Sequence, residues 1–190
     1  MRTIIITGSN LSAATDYSVN ATAGVSATIT TKALTANISN VGVTKVYDAT
    51  TAAPVGFTPT YNFTGLVAGD TTATLSNTGS AYNSAHVASA TTVTVSGLAL
   101  TGITGSNSSL TSDYSYSPSS LGVLATITPK ALAASLTNTG VTKVYDGTTT
   151  APAGFTPTYN VTGFVSGDTA ASLTNTGSAY NSAHVLTAST

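Results

Sequence analysis

TKVYDATTAAPVGFTPTYN at residues 44–62 returns as TKVYDGTTTAPAGFTPTYN at 142–160, 98 residues later. The same offset carries SNTGSAYNSAHV at 76–87 onto TNTGSAYNSAHV at 174–185. Between 32–92 and 130–190, 44 of the 61 aligned pairs are identical. Further upstream TGSN at 7–10 matches TGSN at 104–107, and Asp16-Tyr17-Ser18 matches Asp113-Tyr114-Ser115, both at an offset of 97. ATITTKAL at 27–34 and ATITPKAL at 125–132 bring the offset back to 98. A period this long exceeds one coil of a solenoid and suits an independently folding domain of β-sandwich size.

The phase of the repeat divides the chain into three parts. Residues 32–130 hold one whole module, 1–31 correspond to the last third of a module, and 131–190 to the first two thirds. Laid head to tail, the two fragments would nearly complete each other. A window cut from a long array has this form, and so does a filament subunit whose N-terminal strands complete its neighbour.

Composition points to strands. About a third of the residues are Thr or Ser, all six acidic residues are Asp, and Lys and Arg total five. The chain is 6% charged, against about 25% in ordinary soluble domains. The straight-chain residues that cover helix surfaces are scarce, while Thr, Val, Ile and Tyr suit a pleated, half-buried surface. Thr92-Val93-Thr94-Val95 and Ala125-Thr126-Ile127-Thr128 alternate with period two. Turn signals fall at Gly69-Asp70, Asn77-Thr78-Gly79 and Gly105-Ser106-Asn107. The expected fold is all-β, as tandem Ig-like β-sandwich modules, with elongated β-grasp-like modules as the alternative.

A net charge of −1 offers no basic patch for nucleic acid or an anionic membrane. No apolar run approaches the roughly 18 residues of a membrane span, so membrane insertion is not expected. Cysteine is absent, which removes disulfides and thiol chemistry without choosing a compartment. The Thr/Ser-rich, charge-poor surface favours the outside of a cell, with any export signal outside this stretch.

The motif Lys45-Val46-Tyr47-Asp48-Ala49-Thr50-Thr51, with Lys143-Val144-Tyr145-Asp146-Gly147-Thr148-Thr149, resembles the YDG repeat of large bacterial surface proteins. Gly69-Asp70, Gly167-Asp168, the Thr92–Leu98 segment, Asp113-Tyr114-Ser115 and Ala125–Leu132 follow that pattern in order. Ala49 replaces the motif glycine, and Tyr82–His86 stands where a charged stretch is usual. The resemblance implies a role in filamentous haemagglutinin-like or other giant adhesins, at the bacterial cell surface. It brings no catalytic residues with it.

Tyr47, Asp48, Tyr145 and Asp146 read as a structural motif: Tyr at the core edge, and Asp accepting N–H bonds from the threonines that follow. That turn expects Gly147 at positive φ and Ala49 in the same conformation at a modest penalty. Tyr82, His86, Tyr180 and His184 are candidate ligand contacts, for carbohydrate through exposed Tyr side chains. Each histidine stands alone in its module without a carboxylate nearby in sequence. Asp16, Asp48 and Asp70 are too scattered for a calcium cage, and with no Glu the lysines lack the acid that an isopeptide crosslink needs. Asn-x-Ser/Thr triplets at Asn10, Asn20, Asn37, Asn62, Asn107 and Asn160 are frequent by composition alone. No Gly-x-Ser-x-Gly elbow or charged constellation is present for nucleophilic catalysis. The expectation is a non-enzymatic stalk or fibre-forming module without cofactor. Its expected partners are neighbouring copies or modules of the same protein, and host or cell-surface glycans.

Overall fold

The computed structural model describes residues 2–5 and 24–190, which are all-β and β-sandwich-like. The sequence matches at 7–10 and 16–18 lie outside the described residues. The strands are β1 (Arg2–Ile5), β2 (Gly24–Ala27), β3 (Lys32–Ala33), β4 (Thr35–Ile38), β5 (Val43–Val46), β6 (Tyr61–Thr64) and β7 (Asp70–Ser76). They continue as β8 (Gly79–Tyr82), β9 (Thr92–Ser96), β10 (Ala99–Gly105), β11 (Tyr114–Ser115), β12 (Ser120–Thr128), β13 (Ala133–Leu136) and β14 (Tyr159–Thr162). One 3₁₀ turn, Thr111–Asp113, precedes β11.

The alternation read from Thr92–Val95 becomes β9, with Val93 and Val95 wholly buried. The alternation at Ala125–Thr128 is the end of a longer strand, β12, which buries Ala125 and Ile127. The four-stranded sheet has the order β5-β12-β9-β8. In it β12 runs parallel to β5, with Ala125 opposite Val43 and Ile127 opposite Lys45. Parallel partners cannot be joined by a tight turn, and most of the module lies between these two.

Contacts divide the chain into two compact units that do not follow the repeat boundaries: Met1–Val41, Thr58–Ser80 and Thr94–Val123 form one, and Gly42–Phe57, Ala81–Val93 and Leu124–Thr190 the other. The first unit holds the antiparallel pairs β1–β2, β4–β6 and β7–β10 and the parallel pair β3–β11. Its core is Leu34, Ala73 and Tyr114, with Phe63, Leu66, Leu100 and Ile103 packed against them. The second unit buries Val43, Tyr82, Ala90, Val93, Ala125 and Ile127. It also contains the antiparallel pair β13–β14, with Ala133 opposite Thr162 and Leu136 opposite Tyr159. No residue from Ala131 to Thr190 is buried.

Candidate functional site

The repeated motif places Lys45 at the end of β5, three residues before Asp48 and five before Thr50. The chain then has to turn sharply, and the turn is organised by one carboxylate oxygen. Asp48 Oδ1 accepts the Thr50 backbone N–H at 2.9 Å and the Thr50 hydroxyl at 2.9 Å, an Asx-type turn. Lys45 Nζ closes the loop by donating to the same Oδ1 at 2.7 Å, to Thr50 O at 2.8 Å and to Thr50 Oγ1 at 3.0 Å. The lysine side chain is largely buried, and its ammonium lies 5.4 Å from the centroid of the Tyr82 ring. The Asp48 side chain is half exposed.

The second copy repeats this geometry. Asp146 Oδ1 accepts Thr148 N–H and hydroxyl at 3.0 Å each, and Lys143 Nζ donates to it at 2.8 Å. Lys143 Nζ also donates to Thr148 O and Thr150 O and stands 5.6 Å from the Tyr180 ring centroid. The lysine hydrogen bond, followed by the backbone N–H, holds both carboxyls down at about 2 from an ordinary 3.8. Ala49 has φ 64° and Gly147 φ 74°. A Cβ at Gly147 would meet nothing within 4 Å, so alanine at this place costs only left-handed backbone strain.

Tyr82 is buried, and its hydroxyl donates to Thr126 O in β12 at 3.0 Å. Tyr180 is half-buried, and its hydroxyl donates instead to Val141 O at 3.1 Å. His86 and His184 are exposed, each at the start of a turn. The His86 carbonyl accepts the Ser89 and Ala90 N–H groups, and the His184 carbonyl those of Thr187 and Ala188. Neither ring joins a site: among the described residues, no three His, Cys, Asp or Glu side chains converge as metal ligands.

Tyr47 and Tyr145 do not meet. Tyr47 is half-buried; its N–H bonds to Thr128 O, and its hydroxyl lies 3.5 Å from Asp168 Oδ2 in the following copy. Tyr47 and Asp168 line a cleft of about 460 Å³ with Lys130, Leu132, Phe164 and Val165. Tyr145 is exposed.

Two features were not singled out from the residues. One is Lys45 as the hub of the turn, although the recurring spacing Lys-x-x-Asp-x-Thr was its signal. The other is the pair Asp70–Tyr114. The Tyr114 hydroxyl donates to Asp70 Oδ2 at 2.5 Å and accepts the Val67 N–H at 3.0 Å. This hydrogen bond lowers the Asp70 carboxyl pKa, while burial and then Asp70 itself raise that of Tyr114. Sequence separation hides it, because the partners stand 44 positions apart in the chain.

The lysine-closed turns and the Tyr114 hydroxyl each tie a side chain to backbone groups. Compared with known proteins, the chain matches the family model for the YDG domain over residues 30–116 and 128–190. No curated protein and no solved structure matches it.

Proposed function

The chain belongs to the YDG domain family, and from that premise we propose that it is a structural repeat region of an extracellular bacterial adhesin or filament, a stalk of tandem modules that carries tension. The observation behind this reading is the parallel pairing of β5 with β12, an early and the last strand of the complete module. Force entering at the N-terminal end of β5 and leaving at the C-terminal end of β12 pulls the two strands past each other. All the rungs between them are then loaded together in shear, whereas a hairpin pulled at its open end breaks one rung at a time. Thr128 O also receives the Tyr47 N–H, which extends the clamp by one bond.

The link between modules supports the same role. Strand β12 ends at Thr128 and the module at Lys130, so only Pro129 and Lys130 lie between that strand and residues 131–190. Proline fixes its own φ and restricts its neighbour, which keeps the connection short and stiff. Copying a module whose turns close on themselves adds length without new design.

Pulling the 190-residue chain by its two ends tests this. The expected trace has one rupture, from residues 32–130, with a contour gain of about 300 Å at roughly 3.3–3.6 Å per residue. A featureless extension would sink the stalk reading. So would a glycan bound at micromolar affinity by a module that yields without resistance.

A further inference from the structure

The four-stranded sheet β5-β12-β9-β8 has two outer edges, and the repeated turn reaches both. At the β8 edge the Tyr82 N–H donates to Thr51 O at 2.6 Å, and Ala52 forms an antiparallel bridge with Ala81. At the β5 edge the link is a side chain. Lys45 stands opposite Ile127 of β12 and sends its ammonium to Thr50 O, one residue before Thr51. The three ammonium hydrogens have three acceptors there, Asp48 Oδ1, Thr50 O and Thr50 Oγ1. Backbone pairing thus runs from β5 through β12, β9 and β8 to residues 51–52, and the lysine supplies the last joint back to β5.

Tyr82 braces this joint from inside. Its ring is buried beneath the Lys45 ammonium, and its hydroxyl donates to Thr126 O of β12 at 3.0 Å. One side chain of β8 therefore touches both the strand at the opposite edge and that strand's partner. The Lys45 side chain is only 8% exposed, so water competes little for its bonds. The joint recurs with the motif. In the second copy the Tyr180 N–H bonds to Thr149 O at 2.7 Å, Thr150 bridges Ala179, and Lys143 Nζ donates to Thr148 O at 2.7 Å.

The repeat itself shows what such a joint guards against. Val43-Thr44-Lys45-Val46 is identical to residues 141–144, and Gly79-Ser80-Ala81-Tyr82 to residues 177–180. A strand of one module therefore fits the place of its counterpart in a neighbour, and exchange of identical strands is a hazard of repeat arrays. An open sheet edge is the template for that exchange, and closing a sheet on itself removes it. We infer that the lysine-closed turn is an edge seal: it occupies the β5 and β8 edges of its own module and so keeps tandem copies from pairing with one another. One ammonium replaces the backbone bonds that a further strand would supply. The seal serves any array of these modules, whether or not the array bears load.

Lys45→Met in the 190-residue chain tests it, since methionine keeps an apolar stem over Tyr82 and loses all three donors. Exchange of the Tyr82 N–H should quicken about tenfold more than that of the Ala125 N–H, which bonds to Thr91 O inside the sheet. In sedimentation at about 100 µM the weight-average mass should rise about 1.5-fold above wild type. Val93→Ala, which opens a cavity in the core and leaves the seal intact, is the control. With the two variants brought to equal stability in urea, Val93→Ala should keep the wild-type mass. Equal association of both variants overturns the inference, because lost stability alone would then cause it. Tyr82 exchange that merely follows Ala125 overturns it too, as does a Lys45→Met chain that sediments like wild type. Should Ala125 lose its protection outright, Asp48→Ala, which frees the turn and leaves the pairing of β5 with β12, is held to the same outcomes.

Discussion

Residues 32–92 and 130–190 share 44 of 61 positions, and the comparison separates two kinds of structure. Features closed within about thirty residues appear in both. Asn40 bridges Thr58 and Thr60 as Asn138 bridges Thr156 and Thr158. Asn83 Oδ1 accepts the Thr91 and Thr92 N–H groups as Asn181 Oδ1 accepts those of Ser189 and Thr190. The lysine-closed turn and the pairing of β4–β6 and β13–β14 are likewise repeated. Burial is not. Strands β5, β7 and β8 have no full counterpart in the second copy; only the bridge Thr150–Ala179 survives, matching Ala52–Ala81. Their partners β9, β10 and β12 lie in residues 92–128, of which 131–190 contain almost no counterpart. Polar side chains set the turns, while the core waits for the last third of the module.

The largest expected effect is on the core. Leu34→Ala should cost the complete module about 2–5 kcal/mol. Leu132→Ala, the same change at the exposed counterpart, should stay within about 0.5 kcal/mol. Urea denaturation followed by tyrosine fluorescence measures both, and equal losses would break the comparison. Next comes Lys45→Ala, which removes the ammonium donor to Asp48 Oδ1 and to Thr50 O. With Asp48 half exposed, about 1–2 kcal/mol is expected, and the same change at Lys143 should leave the unfolding midpoint of 32–130 unmoved.

Acid offers a finer distinction. Asp48 and Asp146 have folded pKa values near 2, below the 3.8 of the free side chain. The stabilisation is therefore complete above the unfolded value and is lost as pH falls from about 4 towards 2. Carbon-detected NMR titration should find both carboxyls low, because both turns are local. Lys45→Met should release Asp48 towards 3.8 and leave Asp146 where it is. A shared response would mean that the turns are not independent. The smallest effect is Ala49→Gly, which removes left-handed strain at φ 64° and should raise the midpoint by at most about 1 kcal/mol in stability, because glycine also loosens the unfolded chain.

Much of the site was legible in the residues. Alternation at Thr92–Val95 and Ala125–Thr128 located β9 and the end of β12, and the Asp48–Thr50 turn follows from an Asx residue with threonine two places on. Other features were not legible. The start of β12 at Ser120 is set by partners far away in sequence. The Tyr114–Asp70 bond joins residues that only folding brings together. Tyr82, a candidate for ligand contact by its ring, lies beneath the ammonium of Lys45 with its hydroxyl on β12, an arrangement that no spacing could reveal.

By itself, the sequence determined the repeat, its phase, the all-β class and the short-range turns, because each depends on residue identity within a few positions and recurs wherever the motif recurs. Only the tertiary structure decided which apolar residues are covered. Burial is a property of strand partners separated by about eighty residues, as with Val43 and Ala125, so the same Leu-and-Val pattern makes a core in one copy and none in the other.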